Sequence, residues 1–237
     1  GDVLPTPRPV PTLADVEAEE RRAARAAAAH LERLRRRAAR RPARAAGAWS
    51  QTPLGAARYC VIDLETTGTG VWGHDEILEV GAVRVTGGEL GPEFATLVRP
   101  RGPIGAGAQR VHGITLAMVD GAPPLAAVLP TLLEMLRDRV LVFHNAPFDL
   151  GFLQRALSCE GREALRNPVL DTLVIARALL GGACGLGNLG RRLGLPAPHL
   201  HRALADARLT AQLLLAQLAC LTAAGAQVLG DVPGFVG

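Results

Sequence analysis

Between residues 58 and 225 the apolar positions fall into short runs of two kinds. Arg58–Asp63 (Arg-Tyr-Cys-Val-Ile-Asp), Ile77–Val85 and Phe94–Val98 are dominated by β-branched, aromatic and other apolar residues and predict buried strands. Gly87-Gly88 supplies turn chemistry between the second and third runs, and links this short favour an antiparallel meander. The pattern then alternates. Leu125–Leu136 predicts a helix, Val140–Phe143 a strand, Leu150–Leu157 a helix and Val169-Leu170 a strand, with helices following to about residue 225. Three paired strands, then strands separated by helices, predict an α/β fold built on a mixed sheet flanked by helices.

Ahead of this body the period changes. Thr12 with Asp15 three residues later forms a helix-capping pattern. Acidic residues follow near the helix start and arginines dominate later, which complements the helix dipole. Ala27, Leu31, Leu34 and Ala38 trace a narrow apolar stripe, and Pro42 ends it. The chain therefore divides into an Arg-rich helical extension and linker over 1–55, a globular domain over 56–225 and a tail over 226–237.

Charge sharpens this division. Residues 1–50 hold 11 Arg against 6 Asp and Glu, whereas residues 51–237 hold 15 Arg against 16. The basic balance therefore belongs to the extension, where a solvated helix, a phosphate-binding helix and a partner-binding helix all fit. No uninterrupted apolar segment approaches the ~20 residues needed to cross a bilayer. No apolar core of a secretion signal opens the sequence, so a cytoplasmic protein without a membrane partner is expected. Arginine without a single lysine, beside abundant Ala and Gly, points to a GC-rich bacterial genome. Cys60, Cys159, Cys184 and Cys220 lack metal-like spacing and are expected to be small buried thiols.

Chemistry enters at Val61–Gly70, VIDLETTGTG, where a buried run ends on two carboxylates. Residues two apart in a strand face the same side, so Asp63 and Glu65 point together. Two anions this close repel unless a cation lies between them, and hard oxygen ligands suit Mg²⁺ or Mn²⁺. His144-Asn-Ala-Pro-Phe-Asp149 places Asp149 where the helix at Leu150 is expected to begin, which on this motif alone favours an ordinary N-cap, although strand ends in such sheets are also where ligands bind. Asp206 sits within a strong helical pattern, with Leu209 and Leu213 near its face, and should point inward. A structural partner is available in Arg202, four residues before it. On one continuous helix His199 would share the face of Asp206 while His201 would point about 140° away. His201 reaches the site only from a loop leading into the helix, and periodicity alone does not choose between the two.

Asp-Leu-Glu-Thr-Thr-Gly (63–68), His-Asn-Ala-Pro-Phe-Asp (144–149) and His-Arg-Ala-Leu-Ala-Asp (201–206) together resemble the DEDD exonucleases with histidine, the DEDDh family. The likeness is greatest to its proofreading, epsilon-type members that serve bacterial DNA polymerase III. Val111-His-Gly-Ile-Thr115 and Leu170-Asp-Thr172 extend it, over roughly residues 57–222, with Asp171 read as structural. The resemblance implies a ribonuclease H-like sheet of about five strands. It also implies 3′–5′ exonuclease activity that releases nucleoside 5′-monophosphates. Four carboxylates, Asp63, Glu65, Asp149 and Asp206, would hold two divalent ions, Mg²⁺ or Mn²⁺. It selects His201 over His199 as the base that takes the proton of the attacking water, and assigns Thr67, Gly68, Val111, His112 and Phe148 to the pocket for the terminal nucleotide. The implied partners are a single-stranded or frayed DNA 3′ end and a DNA polymerase catalytic subunit. The alternatives are a stand-alone DEDDh exonuclease in DNA repair or RNA processing, and a non-catalytic nucleic-acid-binding protein.

Overall fold

A computed structural model describes residues 48–71, 73–180, 184–195 and 201–237. The Arg-rich helix expected between Thr12 and Pro42 lies outside these residues, as does His199. Five strands, β1 (Arg58–Thr66), β2 (Ile77–Thr86), β3 (Glu89–Leu97), β4 (Val140–Phe143) and β5 (Val169–Asp171), form one sheet in the order β3-β2-β1-β4-β5. The pairs β1–β2 and β2–β3 are antiparallel, whereas β1–β4 and β4–β5 are parallel. This is the mixed sheet that the run lengths predicted. β3 begins five residues before the expected Phe94, because its first half is an exposed edge with no apolar pattern to read. Gly87 and Gly88, at φ 61° and 85°, make the tight hairpin turn that joins it to β2.

Helices cover both faces. On one, Val61, Val83 and Val85 pack against Ala207, Ala211, Leu214 and Leu221 of α7 (Ala203–Ala223) and Ile175 of α5 (Thr172–Leu180). On the other, Ile62, Val80 and Ala82 meet Val128 and Leu132 of α3 (Leu125–Leu136) and Phe152 and Leu153 of α4 (Ala146–Cys159). Burying both faces explains why β1 and β2 read as nearly continuous apolar runs. The short helices α1 (Ala106–His112) and α2 (Leu116–Val119) follow β3, and α6 (Leu186–Arg192) precedes α7. α7 is the one described helix long and apolar enough to cross a membrane, yet more than half of it is buried inside this fold. Both flanks join the body. Leu54 and Leu229 lie in the α7-side core, Thr52 O accepts from Leu229 N, and Val236 bridges the free edge of β5 at Val169. Of the cysteines, Cys60 and Cys184 are buried as expected, but Cys159 is exposed at the end of α4 and Cys220 is only partly covered.

Candidate active site

The carboxyl end of β1 carries the first two acids. Asp63 and Glu65 alternate with Ile62 and Leu64, which belong to the opposite core, so they face the α7 layer together. Asp63 is half-buried and Glu65 is buried. Pairing with β2 slips just after Glu65, where Glu65 opposes Glu79 but Thr66 opposes Ile77. Such a bulge re-aims the side chains beside it.

Asp149 arrives from the other layer. α4 begins four residues before the expected Leu150, so Asp149 lies inside its first turn and does not cap it. The N-cap is Asn145, in a left-handed conformation at φ 79°, and Pro147 occupies the first turn, where proline loses no helical hydrogen bond. Asp149 Oδ1 instead accepts from the Leu64 amide at 3.0 Å, which ties α4 to β1 between the two β1 acids. The free amides at the start of α4 are satisfied by Asp171, whose carboxylate accepts from Asn145 N and Ala146 N, both at 3.0 Å. Asp171 is thus a structural anchor that positions Asp149.

Asp206 lies in the first turn of α7 and is buried, as its periodicity predicted. Its Oδ2 accepts from the His201 amide at 2.8 Å. His201 stands on the loop just before the helix, exposed and at φ 69°, which is the loop placement that periodicity required of it. Glu65, His201 and Asp206 present ligand atoms that all lie within 4.8 Å of one another. The alternative of a helical ion pair between Arg202 and Asp206 is not what forms. As the residue capping α7, Arg202 projects outside the helical face and pairs with Glu79 on β2, Nη2 to Oε1 at 2.7 Å. Sequence reading passed over Glu79. Its one visible signal was a carboxylate breaking the apolar run Ile77–Val85 on the same strand face as Gly81 and Val83.

Acid concentrates here without matching base. Burial, then Asp149, Asp206, Glu65 and Glu79, hold Asp63 well above the ordinary aspartate range. Burial, then Asp206, Glu79 and Asp149, push Glu65 to about 8, against a smaller opposing effect of Arg202. Burial raises Asp149 to about 8 and also raises Asp206. Asp206 Oδ1 is buried with no hydrogen-bond partner. An orphaned carboxylate oxygen among acids that resist ionisation is a donor set suited to hard divalent cations, so these residues fit such ions.

The expected nucleotide-pocket residues surround the same strand end. Thr67 is buried and fully engaged, accepting from Glu76 N at 2.8 Å and donating to Asp75 Oδ1 at 3.1 Å. A Cβ at Gly68 would lie 2.5 Å from both Asp75 carboxylate oxygens, so any larger residue would displace the Asp75 side chain from Thr67 and the Gly70 amide. His112 is buried. Its Nδ1 accepts from Ile114 N at 2.9 Å, which leaves Nε2–H to donate to Thr66 O at 3.2 Å, and burial lowers its pKa. It therefore hangs α1 from the end of β1 as a neutral ring. Val111, beside it, is exposed. Phe148 is half-buried against Phe152, ring centroids 5.1 Å apart.

A family model described as exonuclease (RNase_T) matches residues 60–214. The chain belongs to the exonuclease family. It is 42% identical over 191 residues to a DNA polymerase III subunit epsilon-like protein of Rhodobacter capsulatus, covering 78% of this chain and 27% of that protein. It is 39% identical over 158 residues to a PolC-type DNA polymerase III of Clostridium perfringens, covering 66% of this chain and 11% of that one. This exonuclease chain thus spans about a quarter or less of the length of these two curated relatives. Among solved structures, exonuclease X in complex with 5′-overhanging duplex DNA is 29% identical with a TM-score of 0.57, over 68% of this chain and 91% of that one. The nuclease domain of a DEDDh family member bound to rAMP shares the fold at 18% identity and a TM-score of 0.61, over 72% of this chain and 96% of that one.

Proposed function

We propose that this chain removes nucleotides one at a time from the 3′ end of DNA, releasing nucleoside 5′-monophosphates. One observation carries the reading: Glu65, Asp206 and His201 bring ligand atoms within 4.8 Å of one another, Asp206 Oδ1 is buried and unpartnered, and Asp63 lies close enough to Asp149, Asp206 and Glu65 for each to raise its pKa. Asp63, Glu65, Asp149 and Asp206 would hold two divalent ions, Mg²⁺ or Mn²⁺. When bound, such ions supply the positive charge that stabilises the attacking and leaving oxygens of a phosphodiester. The chain's own residues do the rest. His201, exposed on a loop held by Asp206, takes the proton of the attacking water, the general-base role that histidine fills most often. Val111 and Phe148 receive the terminal nucleoside by apolar contact and stacking, which tolerate any base. Thr67, Gly68 and His112 shape the wall behind them.

Proofreading for a replicative polymerase in a bacterial cytoplasm is the setting that the epsilon-like and PolC-type relatives support. A mismatched 3′ end has already lost part of the pairing and stacking that a matched end must surrender, so an enzyme that needs a frayed end selects errors. The partner would be a polymerase catalytic subunit. The test is a 5′-labelled single strand incubated with and without Mg²⁺ or Mn²⁺. A ladder shortening from the 3′ end only with metal, and faster on a mismatched than a matched duplex end, is expected. No shortening with either ion overturns the enzymatic reading, and equal rates on the two duplex ends overturn the proofreading role.

A further inference from the structure

Glu79 is the fifth acid of this cluster, and its surroundings differ from those of the other four. It lies on β2, buried, directly opposite Glu65. Its Oε1 accepts from Arg202 Nη2 at 2.7 Å and Nε at 3.2 Å. Its Oε2 accepts from Arg202 Nε at 3.1 Å and from the Ala203 amide at 3.0 Å. Three N–H donors cover the carboxylate, with the Arg202 Nε–H shared between its two oxygens, so each oxygen is already engaged by the start of α7. Glu79 therefore has little left to give a metal ion, and the guanidinium supplies the charge that lets it sit across from Glu65.

We infer that Glu79 is a positioning residue for the proposed nuclease: through Arg202 and the Ala203 amide it fixes the start of α7, and so where His201 and Asp206 stand. The connectivity is short. Arg202 and Ala203 are clamped to a strand in the middle of the sheet. His201, one residue earlier, holds a left-handed φ of 69°, which a non-glycine residue keeps only where its surroundings over-determine it. The His201 amide binds Asp206 Oδ2, and the Asp206 amide binds Arg202 O. α7 has no side-chain cap of its own at this end, so the strand carboxylate does that work from outside.

This inference rests on the proposed 3′–5′ activity, and its test separates the two. In the full chain, Glu79→Gln, Arg202→Gln and the double variant are compared with wild type for kcat and KM on a 5′-labelled single strand with Mg²⁺. Hydrogen exchange of residues 201–206 is measured alongside, without metal. Glu79→Gln is expected to lower kcat by about 30- to 100-fold, with KM within about threefold, because misplacement by an ångström is that costly. Arg202→Gln, half-exposed and so tolerant of change, should act in the same direction, and the double variant should be no worse than the stronger single by more than about threefold. Exchange at 201–206 should rise about tenfold or more. Wild-type kcat in Glu79→Gln, or unchanged exchange, overturns the inference. So does a Glu79→Gln defect rescued by extra Mg²⁺ while Arg202→Gln stays at wild-type rate, since that marks Glu79 as a metal ligand. If the wild-type chain degrades no DNA, the functional reading fails, and the exchange measurement alone decides the role of Glu79.

Discussion

Replacing Gly81 with alanine drives a methyl group into the first turn of α7. An ideal Cβ at Gly81 lies 2.2 Å from the Ala203 carbonyl carbon, 2.3 Å from its oxygen and 2.3 Å from Leu204 N. Carbon atoms out of bonding contact settle at ~3.5 Å or more, so a displacement of about 1.3 Å is required. All three atoms are backbone, so no rotamer change relieves the clash. Either β2 bends within the sheet or the start of α7 lifts away from it, and the second moves His201, Arg202 and Asp206 as a group. Overpacking of this kind costs about 1–3 kcal/mol, or a fall in Tm of about 2–12 °C for a chain of this size. The rate should fall further than the stability does, by about 100-fold, because displacements near 1 Å at a catalytic site carry that cost. Gel-resolved nucleotide release from a 5′-labelled strand, paired with a thermal melt, reads both. A folded Gly81→Ala protein with wild-type Tm and a rate within threefold of wild type would refute the argument that α7 is seated through this contact.

Other outcomes follow from the charge cluster. Glu65 and Asp149 titrate near 8 in the folded chain, and Asp63 and Asp206 are raised as well, above the unfolded carboxylate range of ~4. The native state then holds extra protons between about pH 4 and 8, so metal-free stability is full at the acid end and is lost as pH rises through that window. Melts in EDTA should fall by about 3–5 °C per pH unit for each proton still held, and Mg²⁺ at pH 8 should reverse the loss; a flat profile would contradict it. Asp63→Ala should abolish nucleotide release yet melt in EDTA at pH 8 no lower than wild type, since it removes one of several repelling acids. A large drop in Tm would assign Asp63 to the framework. His201→Ala should slow release by about 10²- to 10⁴-fold without weakening Mn²⁺ affinity, whereas His199→Ala should leave the rate within threefold. Equal losses would contradict the assignment of His201 as the base.

The sheet was legible because its central strands are buried on both faces and so spell continuous apolar runs. β3 was legible only in its second half, since Glu89–Glu93 form a solvated edge. The start of α4 was misplaced because Asp149 looked like a cap. Pro147 after Asn145 was the better signal, and the true acceptor for the free amides, Asp171, lies more than twenty residues away, where local pattern cannot reach. Asp206 could be placed facing inward from helical period alone. Its relation to His201 could not, because a left-handed lead-in breaks the period just where the two residues meet. Arg202 illustrates the same limit. Spacing offers Asp206 four residues on, but a residue at the cap position leaves that face and finds Glu79, which is 123 residues away along the chain.

Calorimetric titration of the metal-free chain with Mn²⁺ addresses the carboxylate cage without relying on any substrate. Two ions bound per chain, with binding lost in Asp63→Ala and kept in His201→Ala, is the expected result. No heat of binding at millimolar Mn²⁺, or a wild-type isotherm from Asp63→Ala, would mean that these acids do not form a metal site.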